Sequence, residues 1–373
     1  MRLKFFCLTV LILCLCVCLF SFDTAAAYGD ELKSEISEDF FSSIDSDIAS
    51  ALEKIGVTDF DYEQIYNVSI RNITDYFKEA LPQKLKVCFA DFLSMLFVVM
   101  LVSIASSFYA DTPQGSIIKI IAVICITVMS VEKISPLLNM LISLVRLSGE
   151  FMLCFIPVLT LLLSLSGTPT MAFTFNSFIM GFSQAISAFI NFVAVDLLGC
   201  FLCVCISMNL NETLNVSRFI NTVNKLTAFV LGITASVFTG FLSIKSVMAV
   251  SVDSVAVKGI RFAISSLIPV LGSSISEAYS SVIGSINIIK SSVAFVGILA
   301  IILINIPVIV QMLMYKISFS LLSYICESTG AVMLSDTFRG FCCAMRILLL
   351  LCVFEMFVLI ISTGIMLVIR GGG

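Results

Sequence analysis

Residues Cys88–Phe108 read CFADFLSMLFVVMLVSIASSF, an apolar run in which Asp91 is the one charged residue. About 20 apolar residues, each rising 1.5 Å in a helix, cross the ~30 Å hydrocarbon core of a bilayer. A helix also satisfies its own backbone polar groups, which lipid cannot do. The run is therefore read as a transmembrane helix, and it sets the class of the chain. Comparable stretches follow at Ile117–Val131, Phe151–Ser166, Ala172–Ile190, Phe192–Met208, Leu226–Ile244, Ser291–Leu313 and Phe341–Ile369. Some are short, so the expectation is six to eight spans in an all-α polytopic membrane protein. Glu132-Lys133-x-x-Pro136 is expected to end the second stretch, because proline lacks an amide donor. Leu137–Val145 is too short to span.

Composition agrees. Of 373 residues, 59% are hydrophobic and 12% charged, with a mean hydropathy of +1.11, whereas soluble domains carry about 25% charged residues. There is no histidine, which removes His-dependent triads and His-type zinc sites. No phosphate-binding loop, dinucleotide fingerprint or nucleophile elbow occurs either. The expectation is a protein that is not an enzyme and holds no cofactor or metal. Cys200-x-x-Cys203-x-Cys205 has metal-like spacing but sits in an apolar run without a second cysteine pair, so helix packing is the reading.

Charge divides the chain. Residues 28–87 carry a net charge of −7, and the remainder from 88 onward +2. The acidic block is water-facing and unsuited to nucleic acid. Within it Ile36, Phe40, Ile44, Ile48 and Leu52 recur every fourth residue, the stripe of an amphipathic helix. Gly56-Val57-Thr58-Asp59 breaks that helix, and Thr58 or Asp59 can cap a second helix over 61–87, in which Pro82 bends the chain or delays the start. A hairpin of this size cannot bury a sizeable core alone. It is expected to pack on the membrane surface, on a copy of itself or on a partner. Before it, Met1–Ala27 has the layout of a cleavable signal peptide: basic Arg2 and Lys4, an apolar Phe5–Phe20, and Ala25-Ala26-Ala27. Export of 28–87 follows from that reading, with 88–373 as the transmembrane domain.

Three patterns supply candidate positions. Ala228, Gly232, Ser236 and Gly240 share one helix face on which another backbone could approach, including that of a second copy. Glu150, Asp196 and Glu355 lie in or beside apolar spans, where an ionisable group faces protein or a polar path by default. Residues 245–290 are rich in serine and carry Lys245, Asp253, Lys258, Arg261, Glu277 and Lys290 between short apolar pieces. They read as an amphipathic or re-entrant region. Lys258 and Arg261 share a face there, and Pro269 and Gly272 bracket a break.

That charged helix followed by Pro269-Val270-x-Gly272, with the signal, exported segment and multi-span body around it, resembles the stage III sporulation protein AE family. The resemblance implies a subunit of the channel, or feeding, complex between mother cell and forespore, needed for late forespore gene expression. It places the chain in the mother-cell membrane around the forespore, with 28–87 facing the intermembrane space. The implied partners are the other membrane proteins of the same operon, a forespore-side protein, and the lipid bilayer. Lys258, Arg261, Pro269 and Gly272 become the expected structurally critical residues. The alternative is a small-molecule transporter or ABC-type permease subunit, which the broken region 245–290 and the intramembrane acids also suit.

Overall fold

The computed structural model describes residues 34, 36–60, 68, 70–108, 113–209, 216–267 and 272–368. Met1–Ala27, read above as a signal, lies outside them. Residues 36–43 are helical. They are followed by α1 (Ser46–Lys54), α2 (Ile70–Phe108), α3 (Pro113–Leu165) and α4 (Pro169–Asn191). A π-helical segment (Phe192–Leu197) then leads into α5 (Leu198–Asn209), α6 (Val216–Leu267), α7 (Gly272–Ser328) and α8 (Val332–Val368). No strand occurs among the described residues. Five of these helical stretches are long and apolar enough to cross a membrane: Arg71–Ala105, Pro169–Met208, Val216–Gly259, Ser280–Ser328 and Val332–Ile365.

The antiparallel hairpin of α7 and α8 forms the centre. In their most apolar windows 61% and 56% of residues are buried, against 17% in α2 and in α6. The outer helices turn apolar rows outward instead. Phe89, Leu93, Phe97 and Leu101 of α2 and Phe229, Ile233 and Val237 of α6 are exposed, as lipid-facing positions are. Both tight helix connections use the same device. At Gly167 (φ 85°) and Gly330 (φ 78°) the chain enters the left-handed region, which glycine occupies without strain. The next amide then reaches back over the helix end, Thr168 N–H to Leu163 O and Ala331 N–H to Cys326 O.

Several expected helix ends are not ends. α3 runs through Pro136 and Pro157, α2 through Pro82 and α7 through Pro307. A mid-helix proline costs about 3 kcal/mol. The burial of Ile134, Leu137, Leu141 and Leu144 beside Pro136 outweighs that cost. The stretches 172–190 and 192–208, expected as separate spans, are one rod from Pro169 to Met208. Residues 245–290 hold the last turns of α6 and the first turns of α7.

The amphipathic segment folds onto its own chain. Ile36, Phe40, Ile44, Ile48 and Leu52 are all buried, as their spacing predicts. The predicted single helix is interrupted at Ile44–Asp45, where the Asp45 carboxylate accepts the Asp47 amide at 2.8 Å and starts α1. The Phe40 ring lies 6.1 Å from Phe151 and 5.9 Å from Phe155 of α3, centroid to centroid. Gly297 of α7 gives Phe155 its place, because a Cβ there would lie 2.1 Å from the ring. Phe151 and Phe155 of α3 thus cover Phe40, while α1 packs on α7 and α2, all within the same molecule.

Candidate functional site

Polar side chains inside an apolar bundle are costly unless satisfied, so their positions mark where the fold spends stability on structure or on function. α2, α3 and α7 meet at Asp91. The Tyr315 hydroxyl donates to Asp91 Oδ2 at 2.6 Å, and Lys133 Nζ lies 3.2 Å from Asp91 Oδ1. Every charge in this trio has a partner, so it fixes three helices and leaves no group free for chemistry.

A second network ties α6, α7 and α8 near the α7–α8 turn. Arg339 donates to Glu327 at 2.7 Å, to Asp336 at 3.3 Å and to Ser217 at 3.2 Å. Beside it lies a cavity of about 350 Å³ that Lys316 and Arg346 also line.

The third element is a cap supplied across the fold. Thr168, at the cap position of α4, turns its hydroxyl back to Leu163 O. Pro169 has no amide to offer. The next two amides, Thr170 N–H and Met171 N–H, donate to the two oxygens of Asp253 on α6 at 3.1 and 3.0 Å. A buried carboxylate is here neutralised by the positive end of a helix.

The fourth is Glu355 of α8, 4% exposed, at a cavity of about 20 Å³. Ser148 of α3 and Ser183 and Ser187 of α4 line the same cavity. Glu355 Oε2 has no hydrogen-bond partner among the described residues, and Ser148 is the hydroxyl that lies beside the carboxyl.

The positions expected from sequence are dispersed. Glu150 is exposed and paired with Arg146 at 3.8 Å. Asp196 is exposed in the π-helical segment. Only Glu355 of the three acids is buried, and Arg346 lines the other cavity rather than meeting it. Ala228, Gly232, Ser236 and Gly240 all lie on an exposed face of α6, and no side chain of this molecule packs over the two glycines. Lys258 is exposed on α6, Arg261 lies in α6 and Gly272 opens α7. Pro269 is outside the described residues, as is the Arg261 side chain. Cys205 is buried against Gly340, while Cys200 and Cys203 are exposed. No group of three or more metal-ligating side chains forms among the described residues.

Sequence reasoning missed the Asp91–Lys133–Tyr315 trio and the Arg339 network. Their signal was the isolated charge in an apolar run, which marks a position but not its partners. Asp253 was visible as part of a charged helix, but the helix end that it serves lies 82 residues away.

The family model described as Stage III sporulation protein AE matches residues 51–368. Among curated proteins, the stage III sporulation protein AE of Bacillus subtilis (strain 168) is 22% identical over 231 residues. That alignment covers 61% of this chain and 58% of the relative, so less than two thirds of the relative's length is spanned. No solved structure matches.

Proposed function

Because the chain belongs to the stage III sporulation protein AE family, and is therefore a protein of sporulation, we propose that it is a non-enzymatic integral membrane subunit of the mother cell–forespore channel complex. The match across 51–368, which takes in the whole helical body, carries this reading. Five helices with the length and apolar character to cross a bilayer support a place in the membrane. In this reading the protein sits in the mother-cell membrane around the forespore, with the acidic segment outside the cytoplasm. It works by assembly with the other membrane proteins of its operon and a forespore-side partner. Family membership does not favour the independent permease.

The test is a fluorescent fusion at Gly373 followed through sporulation. Signal only after septation, confined to the membrane around the forespore, is expected. Uniform signal in growing cells would overturn the proposal. Pro269→Ala combined with Gly272→Leu is expected to cut spore yield after engulfment and leave vegetative growth unchanged, with the protein level checked by immunoblot.

A further inference from the structure

Glu355 sets a physical problem that the rest of the fold does not solve. The residue is only 4% exposed, on the helix at the centre of the body, and one of its carboxyl oxygens has no partner among the described residues. A bare carboxylate in such surroundings is strongly unfavourable, so the group is held neutral by a proton or by a bound cation. Among the described residues no lysine or arginine acts on it. The lining of its cavity contains no lysine or arginine.

The charged groups on the surrounding helices are engaged or oriented elsewhere. On α3, Arg146 and Glu150 pair with each other on the exposed face. α4 and α5 carry no charged residue. On α6, Lys245 lies over the Phe241 ring and Asp253 caps α4. On α7, Lys316 lines the other cavity, and Lys290, though buried, is not in the lining of the Glu355 cavity. On α8 itself, Asp336 and Arg339 join the network near the turn, and Arg346 lines that cavity too. The one titratable neighbour is the Cys352 thiol, one turn before Glu355, which points to Asn305 Oδ1 at 3.9 Å.

Three serines share the cavity with the carboxyl: Ser148 on α3, and Ser183 and Ser187, one turn apart on α4, line a space of about 20 Å³ whose wall is mostly apolar. That is room for roughly one water-sized particle. Val145 and Ile186 close the apolar side. A carboxylate and hydroxyls, with no sulfur or imidazole, form a hard-donor set. Its size and single charge suit a compact monovalent cation and exclude an organic ligand.

We propose that the Glu355 cavity, where α3, α4 and α8 meet, is a binding site for a compact monovalent cation, a proton or a sodium ion. The cation neutralises Glu355 and the three serine hydroxyls complete its shell. Occupancy then couples to helix packing, because the site is built from three separate helices. The inference rests on the geometry of the cavity alone and does not depend on the complex in which the protein acts.

The test uses the full chain purified in detergent and its thermal unfolding. Midpoints are recorded from pH 5.5 to 8.5 in choline chloride, then at pH 8 with sodium or potassium chloride replacing choline at equal ionic strength. Wild type is compared with Glu355→Gln, which keeps the shape and removes the charge, and with Ser183→Ala/Ser187→Ala. A sodium site predicts a rise of about 3 °C or more in sodium over both choline and potassium, lost in Glu355→Gln and reduced in the serine variant. A proton site predicts a midpoint that falls as pH rises, with no preference for sodium, and a flat profile in Glu355→Gln. Identical responses of wild type and Glu355→Gln to both pH and sodium would overturn the proposal. Should Glu355→Gln fail to fold, the serine variant decides: a response equal to wild type in both series overturns it as well.

Discussion

At the scale of single residues, two side chains show how the fold depends on contacts far apart in sequence. Asp253 supplies α4 with the cap that Thr168 and Pro169 do not give it. Asp253→Ala removes two charge-assisted hydrogen bonds and leaves the buried Met171 amide, and the more exposed Thr170 amide, without this acceptor. The expected cost is about 2–4 kcal/mol, read as a lower thermal midpoint in detergent. Asp253→Asn, which can accept one of the two bonds, should fall between alanine and wild type. An alanine variant as stable as wild type would remove the cap from the account. Gly297 acts by what it lacks. A methyl group placed there would lie 2.1 Å from the Phe155 ring, so Gly297→Ala should cost roughly 1–3 kcal/mol by overpacking. The double variant Gly297→Ala/Phe155→Leu should recover part of that loss, which a double-mutant cycle measures. Apolar spacing alone carries no warning of either role. A glycine in a membrane helix is common, and a charged residue in a serine-rich stretch has many possible partners.

At the scale of elements, periodicity was a better guide to faces than to ends. The four-residue stripe from Ile36 to Leu52 is buried throughout, because an apolar stripe has to be covered whatever covers it. Phe151 and Phe155 of α3 cover its Phe40 end, and α7 and α2 cover α1. Phe40→Asp should therefore release the segment from the body. Limited proteolysis is expected to cut between residues 36 and 60 at least 10-fold faster, with α7 and α8 remaining protected. Unchanged cleavage would place the binding energy elsewhere. Helix ends were misread where proline was taken as a stop, at Pro136, because local cost was weighed without the tertiary burial around it. The small-residue face of α6 is the opposite case. No described residue packs on Gly232 or Gly240, so Gly232→Leu should change the stability of the isolated chain by no more than about 0.5 kcal/mol. A large destabilisation would mean that this face is covered after all.

At the scale of the whole molecule, the α7–α8 hairpin carries the body. Its windows are the most buried of the five apolar helices, and both polar networks and the Glu355 cavity involve one or both of these helices. A chain truncated after Ser328 leaves the Phe319, Leu322 and Asn305 positions of α7 without α8 over them. Such a chain is expected to reach less than about a tenth of the full-length level in membranes, measured by immunoblot, because exposed core surface invites degradation. Co-expression of residues 329–373 as a separate piece should restore part of it. The long helices also set the dimensions. α3, α6 and α7 have 53, 52 and 57 residues, or about 80 Å each at 1.5 Å per residue. That exceeds the ~30 Å hydrocarbon core more than twofold, so α6 and α7, which are among the helices able to cross it, each carry several turns beyond a single crossing.

The sequence by itself determined the helical class, the apolar faces and the buried stripe of the acidic segment. These follow from composition and local spacing, which act within a few residues. It also marked Glu355 as an acid in an apolar run. The packing of the helices settles that Glu355 is buried while Glu150 and Asp196 are exposed, that Asp253 caps a helix from another part of the chain, and that three serines line the cavity at the buried carboxyl. The physical reason is that burial and pairing of a polar group are set by whichever helices pack against it. That choice is made by the summed contacts of the whole body rather than by the residue's neighbours in sequence.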